Sequence, residues 1–534
     1  MPQSTESPPV AKPSESLGRS ATLVAAGIFL SRLAGLLRET VFAHYFGSSD
    51  AADVFRAAVR IPNVLQNLFG EGVLSASFIP VYARLRAMGE EEQASDLADA
   101  IAGLLALVTS VLVLIGVLAT PYIIDAIAPG FHGAKRELTI RLVRIFFPGA
   151  GLLVMSAWCL GILNSHRKFF LSYTAPVAWN AVMIATMIAF GRSHTEDSLA
   201  VNTAWGSVIG SGLQFGVQLP VTLRLVRRLR IQLGLKLASV REVIHNFFPV
   251  LVSRGVVQLS AYIDSMIATL LPTGAVAHFG YAQVLYTLPI SLFGMSVSAA
   301  ELPTMSGALG NESEVAAQLR ARLGRALRQI AFLVVPSAMA FLALGDIVSA
   351  AVYQTGRFKH TDAIYVWAVL AGSAIGLLAS SLGRLYSSTY YALRDTRTPL
   401  RFAIIRVALT TILGLFCALR LPQMIGISRS WGVAGLTASA GIAGWVEFLL
   451  LRWRLHQRIG AVRPASAFLA KLWLAAALSA AGAWAIKLGI GHHRPLLMAV
   501  AILLPYGVFY FGLTSLLKIP EAQQVFARLR RRRA

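Results

Sequence analysis

The chain has 534 residues with 48 Lys and Arg against 25 Asp and Glu, a net charge of +23, yet only 14% of residues are charged and 56% are hydrophobic. Soluble globular chains average about 25% charged residues, so the composition excludes a soluble enzyme with a large core and points to an integral membrane protein. The basic residues gather in alternate short loops between apolar stretches, which marks an orientation signal and argues against nucleic acid as a partner.

Residues 1–18 are rich in Pro and Ser and read as a disordered tail. They lack the small-residue cleavage site of a signal peptide, so the first apolar stretch is expected to remain as a helix. Stretches of about 20 apolar residues, enough to cross a bilayer, recur along the chain. They predict helices at 20–45, 52–82, 97–122, 139–163, 172–191, 199–222, 244–270, 275–305, 327–350, 362–391, 401–420, 431–452, 467–488 and 495–517. The fold class expected is an all-α polytopic membrane protein of about 14 transmembrane helices. Loops holding Arg84 and Arg86, Arg167 and Lys168, Arg224 to Arg241, Arg320 to Arg328, Arg394 and Arg397, and Arg452 to Arg463 fall on one side. That bias predicts both termini in the cytoplasm. The basic tail at 528–533 is also placed to touch anionic lipid headgroups.

A faint repeat runs through these spans. Ser31-Arg32 is echoed by Ser253-Arg254, and Leu68-Phe69-Gly70 with Pro80 by Leu292-Phe293-Gly294 with Pro303, at an offset of about 222 to 224 residues. Each set falls in the first two helices of a six-helix unit. The organisation expected is two lobes around a central cavity plus two C-terminal helices, a transporter design in which one lobe rocks against the other. The boundaries read as a tail at 1–18, an N-lobe at 19–223, a basic linker at 224–243, a C-lobe at 244–455, the last two helices at 456–520 and a basic tail at 521–534.

The candidate site comes from charges inside apolar spans. Arg32, Arg38, Glu39, Asp53, Arg56, Arg60 and Glu71 all lie within 22–82. Ionised groups at that depth persist where they face a protein interior or a water-filled cavity. Arg32 and Arg38 are six residues apart, about 240° around an ideal helix, and a kink at Gly35 would bring them together. Asp53, Arg56 and Arg60 form one stripe at i, i+3 and i+7, with Asp53 and Arg56 expected to pair. Glu71 stands between Gly70 and Gly72, where the backbone can bend. Arginine forks suit phosphate or pyrophosphate, so one reading is a cationic pocket for a lipid-linked anionic passenger. The other is interhelical ion pairing. Asp53 and Glu71 fit positioning or gating better than contact with an anion. In the second lobe the intramembrane charges are Arg254, Asp264 and Glu301. Asp264 is a candidate for a coupling cation, or for a salt bridge to Arg254 or Arg406, and Glu447 for an interhelical polar contact. Cys159 and Cys417 lie in apolar segments and read as small buried hydrophobes. No P-loop and no His spacing suited to a metal is present. The expectation is a transporter with no enzymatic chemistry and no metal or other cofactor.

The stretch SRLAGLLRETVFAHYFGSSDAADVFRAAVRIPNVLQNLFGEGVLSASFIPVY at 31–82 closely resembles the MurJ/MviN lipid II flippases. So do Ala128-Pro129-Gly130-Phe131, Asn164 with Ala175-Pro176 and Asn180, Gly356-Arg357-Phe358, and Asp395-Thr396-Arg397-Thr398-Pro399. The resemblance runs through nearly the whole chain. It implies fourteen helices of the multidrug/oligosaccharidyl-lipid/polysaccharide exporter type. It also implies a bacterial inner-membrane protein that flips the undecaprenyl-pyrophosphate-linked peptidoglycan precursor from the cytoplasmic to the periplasmic leaflet. By position it places the cavity arginines on Arg32 and Arg38, the important acidic residue on Asp53 and the Glu-Gly pair on Glu71-Gly72. The drive it implies is membrane potential or a cation gradient, with sodium or proton left open as coupling ion. The chain departs from the family at Gln66, where an arginine is expected, and at Gln283-Val284, where an Asp-Arg pair is expected. Arg254, Arg60 and Arg406 are candidates to compensate. Around 406–414 the polar residues of a sodium site are replaced, with Arg406 among them. Three readings stand: a lipid II flippase, a divergent paralogue flipping another lipid-linked oligosaccharide, and a non-transporting scaffold for cell-wall synthesis proteins.

Overall fold

The computed structural model describes residues 15–226, 230, 232–307, 311–462, 466–491 and 494–524, with the side chains of 15–25, 71, 72, 249, 250 and 252–261 outside the description. Every described element is helical. In chain order these are α1 (Glu15–Phe46), α2 (Asp50–Phe69), α3 (Glu71–Ala87), α4 (Glu91–Ile127), α5 (Gly133–Ser165), α6 (Phe169–Phe190), α7 (Glu196–Val226) and α8 (Ala238–Thr269). They continue with α9 (Ala275–Pro289), α10 (Ser296–Ser306), α11 (Glu312–Tyr353), α12 (His360–Ala392), α13 (Arg397–Leu415) and α14 (Leu421–Met424). The last are α15 (Gly432–Ile459), α16 (Ser466–Ile490) and α17 (Pro495–Leu516). All fourteen predicted spans fall on helix. Among the described residues, ten helical segments are long and apolar enough to cross a membrane by length and composition, which makes this an all-helical multi-pass membrane protein.

The two echoed segments share a structural feature. The first is cut at Gly70, where α2 ends and α3 begins. A Cβ at Gly70 would meet the Gln66 carbonyl oxygen at 2.1 Å, so the break needs glycine. The second is interrupted at Ile290–Met295, a wider π turn between α9 and α10 that contains Leu292-Phe293-Gly294. A helix whose turn is opened in this way leaves the regular hydrogen-bond ladder, and such turns often sit at functional positions.

The chain divides into two compact units. The first comprises the described residues of Met1–Val41, Ala58–Ile124 and Glu137–Leu259. Its core joins Leu97, Ala98 and Ile101 of α4, Phe78 and Tyr82 of α3, and Trp158, Cys159 and Ile162 of α5. Trp158 is completely buried, and its indole N–H donates to the Ala98 carbonyl at 3.1 Å, which satisfies the one polar group it takes inside. Ser156 donates to Gln218 at 2.8 Å and accepts from Gln214 at 3.1 Å, tying α5 to α7.

The second unit comprises Phe42–Ala57, Asp125–Arg136 and the described residues of Ser260–Ala534. Its α12 and α15 approach closely at small residues. A Cβ on Gly376 would stand 2.5 Å from the Gly441 Cα, and one on Gly372 would stand 2.5 Å from the Ala434 carbonyl oxygen. Gly372 and Gly376 are one turn apart, the spacing by which membrane helices bring their backbones together. In α11, Pro336 has no N–H to offer the Phe332 carbonyl. Tyr510 of α17 supplies the missing donor at 2.7 Å, and Tyr506 donates to the Pro336 carbonyl at 2.7 Å. The helix bends at Leu344 (φ −129°, ψ 15°). Beside it, Trp367 donates to the Leu342 carbonyl at 2.9 Å and Trp484 of α16 to the Ala343 carbonyl at 2.8 Å.

Candidate functional site

The most elaborate polar arrangement lies in the second unit, around Asp53. The start of α2 places Asp53 one turn after Asp50. Asp53 is 1% exposed. One of its oxygens accepts the Gly274 N–H at 2.8 Å and the Lys135 ammonium at 2.9 Å, and the other accepts the Ala277 N–H at 2.8 Å. Gly274 is the N-cap of α9, in a left-handed conformation at φ 89°. The Asp53 carboxylate therefore occupies the positive end of a helix 221 residues away in sequence. Lys135 also donates to Asp50 at 2.6 Å, and Thr273 donates to the same Asp50 oxygen at 2.8 Å. Two carboxylates, one ammonium and two backbone N–H groups make a clamp that a single charge change can loosen.

The Ala128-Pro129-Gly130-Phe131 motif positions the ammonium. A Cβ on Gly130 would overlap the Thr269 carbonyl, so only glycine lets this turn sit against the end of α8. Phe131 is buried, and the Lys135 ammonium lies 4.6 Å from its ring centroid. Lys135 is the functional candidate that the sequence argument missed. Its only signal was its place four residues after that motif.

Arg56 has a different surrounding from the one expected. Asp53 takes Lys135, while the Arg56 guanidinium lies over the rings of Tyr281 (4.1 Å) and Phe42 (5.0 Å). Gly280 makes the space, since a Cβ there would stand 2.6 Å from the Arg56 Cδ. Tyr281 is held in turn by donating to the Gly47 carbonyl at 2.7 Å and by packing on Tyr353 and Phe358. Gly356-Arg357-Phe358 forms the rest of this seat: the Arg357 N–H donates to the His44 carbonyl at 2.9 Å, and Gly356, at φ 57°, leaves room for His44. His278, 7% exposed, stacks on Tyr365 and lies 3.4 Å from Asp362.

In the first unit, Arg38 donates to Glu39 at 2.6 Å and its guanidinium lies 4.7 Å from the Trp179 ring centroid. Its side chain is 21% exposed and that of Glu39 is 10% exposed, so the pair is shielded but reachable. Arg32 is exposed, and α1 is helical throughout the stretch joining the two arginines, including Gly35. Arg60 and Gln66 are half-buried. The side chains of Glu71 and Arg254 lie outside the described residues.

The remaining predicted charges belong to the second unit. Glu301 lies 3.6 Å from Arg322, and Arg406 pairs with Glu447 at 3.1 Å, which makes Glu447 an interhelical contact. Asp264 is half-buried on α8. Asp395 in its motif has a structural job. It accepts the Arg397 and Thr398 N–H groups at the start of α13 and the Arg458 guanidinium at 2.8 Å. Among the described residues no cluster of three or more His, Cys, Asp or Glu suits a metal ion.

Residues 42–509 match the family described as lipid II flippase MurJ. Lipid II flippase MurJ of Burkholderia cenocepacia is 30% identical over 522 residues, covering 93% of this chain and 96% of the relative. A probable lipid II flippase MurJ of Bdellovibrio bacteriovorus is 30% identical, covering 95% and 96%. In fold, the chain is similar to a solved lipid II flippase MurJ in an inward closed conformation, with TM-score 0.76, 22% identity, and coverage of 93% of this chain and 98% of that one. An inward-facing MATE family transporter of the MOP superfamily follows at TM-score 0.58 and 18% identity, covering 82% and 94%.

Proposed function

The chain belongs to the lipid II flippase MurJ family, and from that premise we propose that it moves lipid II, an undecaprenyl-pyrophosphate-linked disaccharide-peptide, from the cytoplasmic to the periplasmic leaflet of a bacterial inner membrane. Both termini are cytoplasmic in this reading, as the loop charges require. The observation that carries it is Arg38, shielded on α1, with its guanidinium held between the Glu39 carboxylate and the Trp179 ring. Arg38 receives the pyrophosphate, whose oxygens match the arginine fork, and Arg32, exposed on another side of the same unbroken helix, is a separate candidate cation for it. Glu39 keeps the Arg38 cation low in energy while the site is empty, and an arriving pyrophosphate replaces it as acceptor. Such an exchange lets substrate bind without leaving an unpaired intramembrane charge on either side of the event.

The Asp53 clamp supplies the second requirement of alternating access, a contact strong enough to hold one state and small enough to break. It is assembled from the start of α2, the first turn of α5 and the start of α9. Membrane potential or a cation gradient drives the cycle, with Asp264 as the candidate carboxylate for a coupling cation. Cell-wall synthesis proteins are further candidate partners. One observation favours a second reading, a paralogue carrying another lipid-linked oligosaccharide: Gln66 and Val284, both half-buried, replace charges that the resemblance leads one to expect.

The test is complementation of a bacterium depleted of its own lipid II flippase, using wild type and Arg38→Ala at matched membrane levels. Rescue by wild type alone supports the proposal. Equal rescue by the variant overturns the role of Arg38 and favours a scaffold. Failure of well-expressed wild type, alongside rescue by a control flippase of similar origin, favours the other passenger.

A further inference from the structure

The first unit carries charge on a face where its neighbours are apolar. On α5, Glu137, Arg141 and Arg144 follow one another at i, i+4 and i+7, a single stripe, and all three are exposed. With Ile140, Ile145 and Trp205 they line an open pocket of about 480 Å³. The surface around it is that of a lipid-facing helix layer: Leu114 and Leu118 of α4 are 59% and 67% exposed, and Trp205 and Ile209 of α7 are 52% and 62% exposed. Arg144 reaches the Val117 carbonyl at 3.3 Å, and neither arginine forms an ion pair with a described residue.

Depth along the helix sets what can sit there. At 1.5 Å per residue, Arg141 and Arg144 stand roughly 12 and 16 Å from the first residue of α5. That helix, at 33 residues, exceeds the hydrocarbon thickness. The arginines therefore lie near one hydrocarbon boundary, with Glu137 one turn further out and an indole at the same level, the usual place for tryptophan. Arginine stems bend outward to such a boundary. Two guanidinium groups below a carboxylate are complementary to a head group with phosphate below and a primary ammonium above.

We propose that this pocket binds the head group of phosphatidylethanolamine, with the phosphate on Arg141 and Arg144, the ammonium on Glu137, and the acyl chains along the apolar faces of α4 and α7. The site is separate from the passenger, so its test does not depend on what the protein carries. Purified full-length protein is placed in nanodiscs of equal phosphatidylethanolamine, phosphatidylglycerol and phosphatidylcholine, extracted gently, and its retained lipid counted by native mass spectrometry. Wild type is expected to retain phosphatidylethanolamine over each competitor by roughly three- to fivefold, the order of one exposed ion pair. Arg141→Ala/Arg144→Ala abolishes retention, while Glu137→Gln removes the preference over phosphatidylglycerol and keeps retention. Thermal transitions of lipid-free variants in detergent, expected to match wild type, report folding. Equal or stronger retention of phosphatidylglycerol by wild type overturns the head-group assignment. Retention unaffected by the double variant overturns the site. Displacement of the lipid by millimolar soluble phosphoethanolamine overturns the lipid as occupant in favour of a free phosphoester.

Discussion

Asp53→Asn tests the clamp most directly. The substitution keeps size and one acceptor oxygen but removes the charge facing Lys135 at 2.9 Å and puts an NH₂ group where an N–H of α9 now donates. Breaking one side of a buried ion pair costs about 3–5 kcal/mol, and a hydrogen bond to a charged group is worth about 1.5–3 kcal/mol. Lys135 retains Asp50 at 2.6 Å, so the lower end applies, about 3 kcal/mol. If the clamp holds one state of the cycle, that state loses on the order of a hundredfold in population relative to the open one. The assay is maleimide labelling of a single thiol introduced by Ala277→Cys, in a background where Cys159 and Cys417 are replaced by alanine, because Ala277 is completely buried beside the Asp53 carboxylate. Labelling is expected to accelerate on the order of a hundredfold in Asp53→Asn. A labelling rate equal to that of the parent, in protein of equal thermal stability, would refute the idea that Asp53 holds this arrangement closed.

Gly280→Ala places a Cβ within 2.6 Å of Arg56 and should push the guanidinium off Tyr281, lowering thermal stability by about 1–2 kcal/mol; an unchanged transition in detergent would count against the aromatic seat. Tyr510→Phe should cost about 1–3 kcal/mol by leaving the Phe332 carbonyl without its donor. Adding Pro336→Ala, which restores the helical N–H, should recover much of that loss, and a double variant no better than the single would exclude this account. Asp395 gives a pH dependence. Burial pushes its carboxyl up, but the Thr398 N–H and hydroxyl, Arg458 and the Arg397 N–H together hold it below the ordinary value. Its contribution to stability is then present above the unfolded value of about 3.9 and is lost as pH falls through the lower folded value. Melting curves between pH 6 and pH 3 should therefore fall less steeply for Asp395→Asn than for wild type, and parallel curves would contradict this.

The sequence carried the spans because apolar length is a local property, and it carried the break at Gly70 because glycine marks where a backbone must come close. It carried the identity of charged positions better than their partners. Helical spacing pairs Asp53 with Arg56, yet its ammonium comes from Lys135, 82 residues on, and its N–H donors lie more than 220 residues on. Spacing along one helix says nothing about an aromatic ring delivered by another, so the seat of Arg56 on Tyr281 was invisible. Arg38 and Glu39 are adjacent, a spacing at which helical side chains do not face each other; the length of arginine overcomes that geometry. Apolar length starts this span at 327, whereas Asn311 and Glu314 form a capping box that begins α11 at Glu312. The polar turns that follow the cap hid it from a search for apolar length.

The tyrosine and tryptophan donors of α16 and α17 change what those two helices are for. Three carbonyls of α11, those of Phe332, Pro336 and Ala343, take their hydrogen bonds from Tyr510, Tyr506 and Trp484. In hydrocarbon no water stands ready to replace a lost donor. The final hairpin thus works as a splint, holding α11 across its proline and its bend at Leu344. A shortened form lacking it would survive only with α11 redrawn as a straight rod, so the two ends of this part of the chain must change together.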